Sequence, residues 1–330
     1  MVRRGQGILR LALLAAGAAG AVTAAIADPA DARAAASQAW PAFVLVAGLL
    51  VVGAVAADDG VFEAVGAALA RLPGGGVSLL VALIGVEAIV TAVLNLDTAV
   101  VFLTPVLLHA ARRRGHGEEP FLYAAVFTAN AASLLLPGSN LTNLIVLTHE
   151  HVSGAVFASR MVAPWVVSIA CVASLLGVVY RRELRLRHAA GGNGARLRVS
   201  LGLGGIAVAA GLVLALRQPA LPVVALACAL AVASRFVRRA VVAADPALLV
   251  GVFGIAVALG TLGRAAASLG ALTASTGRWA TAGIGAGSAV LVNNLPAAVL
   301  LSSHTPTHPR ALLLGLDLGP NLAVTGSLSA

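Results

Sequence analysis

Apolar residues run along this chain in long blocks rather than in alternation. A helix needs about 20 of them to cross about 30 Å of hydrocarbon. Blocks of that kind fall at 9–27, 40–57, 161–180, 199–216, 220–236 and 246–263. Strand-length alternation is absent, which argues against a membrane β-barrel. The pattern predicts an all-α, polytopic membrane protein. The first block follows Arg3, Arg4 and Arg10, and Ala25-Ile26-Ala27 resembles a cleavage site, but the run is long for a signal peptide.

Two further regions are apolar but interrupted. In the first, 77–111, Asn95-Leu96-Asp97-Thr98 separates two apolar arms, which predicts a re-entrant helical hairpin. In the second, 121–148, Pro137-Gly138-Ser139-Asn140 breaks the run. Proline and glycine there remove helical hydrogen bonds, and lipid does not tolerate the exposed backbone, so the break must face protein or a water-filled cavity. The same pair recurs near the C-terminus. A hairpin at 281–303 turns at Asn293-Asn294-Leu295-Pro296, and a broken helix at 310–330 is interrupted at Gly319-Pro320-Asn321. Ahead of each pair, Gly48 to Gly60 matches Gly251 to Gly263 in spacing. This is an internal repeat.

Composition supports the membrane reading: of 330 residues, 59% are hydrophobic and 11% charged. Soluble domains carry about 25% charged residues, so a cytosolic enzyme and a disordered chain are excluded. The net charge of +9 comes from 22 basic residues, all arginine, against 13 acidic ones. These arginines sit in short links between apolar runs, the positive-inside pattern, rather than in a nucleic-acid footprint. With the N-terminus inside a cytoplasmic (inner) membrane, Arg112, Arg113 and Arg114, the basic 181–198 link, and Arg235, Arg238 and Arg239 all fall inside. The two repeats then enter from opposite sides, the layout of many secondary transporters. The predicted units are a first repeat at 1–180, a cytoplasmic linker at 181–198, and a linker helix with the second repeat at 199–330, whose C-terminal part looks incomplete.

In such a layout the hairpin tips and helix breaks meet near the midplane. The candidate substrate-binding residues are Asn95, Thr98, Ser139, Asn140, Thr142, Asn293, Asn294, Asn321 and Thr325, with Asn143 beside them. Their amides and hydroxyls both donate and accept hydrogen bonds. Asp97 and Glu87 are the candidates for proton coupling. A carboxyl at membrane depth is costly and marks a functional site by default. At Asp97, burial and the half-helix N-termini pull the protonation equilibrium in opposite directions; its structural alternative is an N-cap for the arm starting at Thr98. Asp317 is similar to Glu87. Asp58, Asp59 and Glu63 fit an interfacial role, and His304 and His308 a solvated loop. His149 and His151 flank Glu150, but no metal site is expected there. Cys171 and Cys228 lie inside apolar runs without metal-ligand or disulfide spacing. No cofactor motif, Walker loop, nucleophile elbow or metalloprotease histidine pattern is present, so no enzymatic activity is expected.

Four segments carry a family likeness: 90–100 (through Asn95-Leu96-Asp97-Thr98), 132–143 (through Pro137-Gly138-Ser139-Asn140), 292–297 and 318–327. There the chain resembles the ArsB/NhaD permeases, part of an ion-transporter superfamily that includes citrate and dicarboxylate carriers. The arsenite-efflux branch fits best. That resemblance implies export of arsenite, and often antimonite, coupled to proton entry, with a cytosolic ATPase as partner in some relatives. It places the family's site at Asn95, Asp97, Thr98, Ser139, Asn140, Asn293, Asn294, Asn321 and Thr325. Arsenite near neutral pH is an uncharged trihydroxide that amides and hydroxyls can hydrogen-bond. The alternatives are a sodium/proton antiporter, an anion carrier of the citrate type, and a truncated or partner-dependent membrane protein.

Overall fold

A computed structural model describes residues 2–150, 152–185 and 199–323, and in them the chain is helical throughout. The repeats share a long helix, a short helix, a hairpin and the first half of a broken helix; of the expected broken helix at 310–330, residues 324–330 lie outside the described residues. In the first they are a long helix (Pro29–Asp58), a short helix (Val61–Ala70), a hairpin from Gly76 to Arg113, and a broken helix made of Glu119–Ala132 and Leu141–Val146. In the second they are Pro246–Ala265, Ala267–Ala274, a hairpin of Arg278–Val292 and Asn294–Leu301, and Pro309–Leu318 running into a tight turn, Gly319–Leu322. In both, the leading arm of the hairpin packs on the first half of the broken helix.

The repeats are inverted. The long helix Pro29–Asp58 ends where Arg239 pairs with Asp58 at 2.8 Å. Pro246–Ala265 starts at that same arginine-rich face, where Arg10 pairs with Asp245 at 2.7 Å, and ends beside Gln38. The two helices therefore run in opposite senses, as the internal repeat and the arginine distribution predict.

Several boundaries differ from the sequence reading, each for a physical reason. The link at 28–39 is helical. Asp28 accepts hydrogen bonds from the amides of Ala30 and Asp31, and Pro29 takes the first helical position, where its missing N–H costs nothing. Beyond the predicted apolar blocks, each long helix is followed by a short one, Val61–Ala70 and Ala267–Ala274, too short to announce itself by length. The expected spans at 199–216 and 220–236 form helices of 15 and 14 residues, Leu201–Ala215 and Ala220–Ala233. At 1.5 Å per residue these are about 22 Å tall, less than a full crossing. Both pack along the long helix. The expected full spans at 9–27, 161–180 and 246–263 are present as Val2–Ala27, Gly154–Val179 and Pro246–Ala265.

Small residues set the closest contacts. The first helix lies along Pro246–Ala265 with Gly17 against the backbone of Gly251 and Gly254, and a Cβ at Gly17 would overlap the Gly251 carbonyl. Lipid offers no hydrophobic drive between helices, so such backbone approach supplies packing instead. Gly17→Leu is expected to destabilise the protein by about 1–3 kcal/mol, as overpacking does. Gly7→Leu, where nothing lies within 4 Å, leaves it unchanged. Thermal unfolding midpoints in detergent check both.

Candidate functional site

Each hairpin return arm begins at an asparagine with positive φ. Asn95 has φ 145° and Asn293 φ 78°. Such backbone is strained for a residue with a side chain, at a cost of roughly 1–3 kcal/mol, and both positions recover part of it as N-caps. The Asn95 side-chain oxygen accepts from the Thr98 amide at 2.7 Å, and that of Asn293 from the Leu295 amide at 3.3 Å. The cap of the first return arm is thus Asn95, not Asp97, which lies half-buried in its first turn. Thr98 is buried against Gly53, where a Cβ would overlap its methyl group.

The first break is fixed by its own side chains. Ser139 accepts from the Leu136 amide at 3.1 Å and donates to the Ala92 carbonyl of the first hairpin at 2.9 Å. Asn143 donates to the carbonyls of Ser133 (2.6 Å) and Leu136 (3.3 Å). Asn140 caps the second half-helix through the Thr142 amide at 3.2 Å. Backbone groups freed by Pro137 and Gly138 thereby find partners inside the protein, as a break at membrane depth requires.

Polar contacts join the repeats at the breaks. Asn140 Nδ2 donates to Asp317 Oδ1 at 3.0 Å, linking the first break to the helix that leads into the second. Asn321, in the second break, accepts from Asn130 Nδ2 at 2.8 Å and donates to the Phe127 carbonyl at 3.2 Å, both on the first broken helix. Ile145, just beyond the first break, packs with Leu295 and Val299 of the second hairpin. Asn294 is buried at the tip of that hairpin. The expected residues Ser139, Asn140, Asn143 and Asn321 therefore belong to one connected network. Thr325 lies outside the described residues.

Unsatisfied polar atoms concentrate here. Glu87 is fully buried with neither carboxyl oxygen hydrogen-bonded, and Thr91 and Thr98 hydroxyls, Asn95 Nδ2, the Thr142 hydroxyl, Asn143 Oδ1 and Asp317 Oδ2 are also without partners. Native interiors leave few such groups, and each calls for an explanation. Glu87, Thr91 and Asn95 are spaced four apart along the leading arm, so Glu87 and Thr91 share a face that leads to the tip.

Asn130 and Gln38 escaped the sequence reading; the one signal for each was a lone amide on the buried face of an apolar helix. Gln38, 6% exposed, donates to the carbonyls of Ile145 (3.2 Å) and Ser302 (3.0 Å) and accepts from Arg264 at 2.6 Å. Thr148 donates to its carbonyl at 3.2 Å. This amide ties the long helix to the first broken helix, the second hairpin and the helix Pro246–Ala265. Among the described residues, no three His, Cys, Asp or Glu side chains converge as a metal site.

The geometry of hairpin tips and breaks agrees with the family likeness at a coarser level. Residues 3–315 match the model of the citrate transporter family, CitMHS. The chain belongs to that family. It lies within the ion-transporter superfamily, and nothing in the match singles out the arsenite branch. Among curated proteins, the silicon efflux transporter LSI3 of Oryza sativa subsp. japonica is 28% identical over 144 residues, 44% of this chain and 30% of that protein. The uncharacterized transporter MT2759 of Mycobacterium tuberculosis is 29% identical over 138 residues, 41% of this chain and 32% of that protein. The aligned part of the chain thus spans about a third of the length of these relatives. The crystal structure of the Alcanivorax borkumensis YdaH transporter, described as having an unusual topology, aligns with a TM-score of 0.51 at 16% identity, covering 88% of this chain and 76% of that one. That likeness establishes the fold. The family is one of transporters rather than of enzymes.

The bond between Asn140 and Asp317 is the shortest tie between the first break and the acid before the second. Removing either partner leaves a buried group unpaired, at about 1–3 kcal/mol. Asn140→Ala and Asp317→Ala, compared singly and together by thermal unfolding in detergent, are expected to show a coupling of about 1 kcal/mol or more; additive effects would mean that the two side chains act independently.

Proposed function

We propose that this protein is a secondary transporter that exports arsenite, and antimonite with it, in exchange for protons entering the cell. The observation that carries this reading is the make-up of the network across the breaks. Asn130, Asn140, Asn143, Ser139 and Asn321 present amides and hydroxyls, and among the described residues the one titratable side chain bonded to them is the carboxyl of Asp317. A neutral, hydroxylated cargo suits that surface, because it both donates and accepts hydrogen bonds and brings no charge to the midplane. A multiply charged anion would lie beside a buried carboxyl. The similarity to a silicon efflux transporter supports the same cargo class, since silicic acid is also an uncharged hydroxide near neutral pH.

Asp97 and Glu87 are assigned to proton coupling in this reading. Glu87 has both oxygens unpartnered within an apolar helix, the setting in which intramembrane carboxyls mark proton or ion paths. Binding is by Asn95, Thr98, Ser139, Asn140, Thr142, Asn293, Asn294, Asn321 and Thr325. The arginine-rich face is placed in the cytoplasm of a cell with an inner membrane, following the positive-inside rule. A cytosolic ATPase that responds to arsenite is a partner consistent with this orientation.

A second reading is carriage of citrate or a dicarboxylate, which the family's description favours; sodium/proton antiport is its neighbour. The half-helix N-termini after Asn95 and Asn293 supply partial positive charge for an anion there.

The two readings separate in one experiment. Expressed in a host lacking its own arsenite exporter, the parent chain is expected to raise the tolerated arsenite concentration at least several-fold. Asp97→Asn and Glu87→Gln should lose that protection while still reaching the membrane. In everted vesicles, arsenite uptake should collapse when a protonophore is added. Citrate or sodium movement without arsenite protection would replace this reading with the second.

A further inference from the structure

The long helix Pro29–Asp58 has 30 residues, about 45 Å. The helices Leu201–Ala215 and Ala220–Ala233 beside it are half that height. Gly202 sits against Ala56, near the arginine-rich end. The pair therefore starts level with that face, and its turn at 216–219 stops beside Trp40 and Pro41, well short of Pro29. Above the turn the long helix has no partner from this pair, and a cavity of about 420 Å³ opens there.

Three features make this cavity more than a gap between helices. Its walls include two of the loops that join helices on the face opposite the arginine-rich one, one through Glu150 and Val152, the other through Arg217 and Gln218. Most of its lining is apolar, but Glu150, Arg217 and Gln218 stand among those walls, and charged side chains there call for water at the opening. It also reaches Pro137, the first residue of the first break. At its floor, Leu45 and Val213 lie against the next residue: a Cβ on Gly138 would stand 3.5 Å from Leu45 Cδ2 and 3.3 Å from Val213 Cγ1. Ser139 and Asn140 follow immediately in the chain, both buried. Water occupies roughly 30 Å³ per molecule in the liquid, so the cavity holds on the order of ten, ample for a small hydroxylated solute.

We propose that this cavity is the outward mouth of the cargo route, and that Leu45 and Val213 form an apolar plug between it and the first break. The proposal rests on the transport reading for what passes through. The contact of the mouth with outside water does not depend on the cargo. In the state described here the plug is closed, since Val213 is 2% exposed and Leu45 1%. Withdrawal of two side chains would connect the mouth to Ser139.

Thiol labelling tests this in the full chain. Cys171 and Cys228 are both exposed and are first replaced by serine. Single cysteines then replace Gln218 at the rim, Leu144 or Thr148 in the wall, and Val167, which is 61% exposed on the apolar surface of Gly154–Val179. Intact cells are treated with a charged, membrane-impermeant thiosulfonate or with a lipid-soluble maleimide. Gln218→Cys and the wall variants are expected to react with the charged reagent from outside, with rates within about ten-fold of each other, while Val167→Cys reacts only with the maleimide. Thr148→Cys serves if Leu144→Cys does not reach the membrane. Wall cysteines that behave like Val167→Cys would show a lipid-filled groove, and wall cysteines reached only after permeabilisation would put the mouth on the inner side; either result overturns the proposal. Labelling from outside in a chain that confers no arsenite protection would leave the mouth standing and remove only the cargo assignment.

Discussion

Backbone hydrogen bonding governs this molecule. Inside lipid each unpaired N–H or C=O costs several kcal/mol, yet among the described residues the chain breaks off and restarts helices at Asn95, at 137–140 and at Asn293. It can do so because the interruptions carry their own bonding groups. Asn95, Asn140 and Asn293 cap the half-helices that restart, while Ser139 and Asn143 hold the turn between them. The residues that make broken backbone tolerable are also the ones that face the shared interior. In the proposed reading, structural and transport roles are therefore not alternatives at these positions, and a substitution there would act on both, which is why the conservative changes Asp97→Asn and Glu87→Gln, outside the capping set, are the cleaner probes of coupling.

The inverted repeat explains how one such break becomes a site. A single hairpin or broken helix would present its polar turn to lipid. Two copies in opposite senses present them to each other, with Asn140 reaching Asp317 in one direction and Asn321 reaching Asn130 in the other. Around this polar centre the apolar clusters are built across the repeats as well: Leu134, Val146 and Phe157 pack with Leu312, Leu313 and Leu316. The halves are thus joined by both kinds of contact at once.

Much of this was legible in the sequence, for reasons that differ by element. Pro137, Gly138 and Pro320 announce breaks because their chemistry is incompatible with an uninterrupted helix. Asn95 and Asn293 announce tips because asparagine tolerates positive φ and caps helices. The arginine links and the matched glycine spacings gave away the inversion. Height was not legible. An apolar block of 18 residues at 199–216 and a helix of 15 residues within it look alike until turn residues such as Ser200 and Pro219 take their share. The helix over 29–39 was hidden by Asp28, Pro29, Asp31 and Arg33, which resemble a solvated link but include an N-cap and a first-turn proline. Partners 177 and 191 residues apart, such as Asn140 with Asp317 and Asn130 with Asn321, leave no trace in spacing at all.

The amide of Gln38 has a mechanical consequence. It binds the long helix to the second hairpin through Ser302, to the first broken helix through Ile145, and to a third element through Arg264. Sliding the hairpin past the long helix would sever these bonds together, at about 1 kcal/mol apiece. Tilting about that point severs none of them. A displacement that keeps these bonds has to turn about Gln38 rather than slide past it.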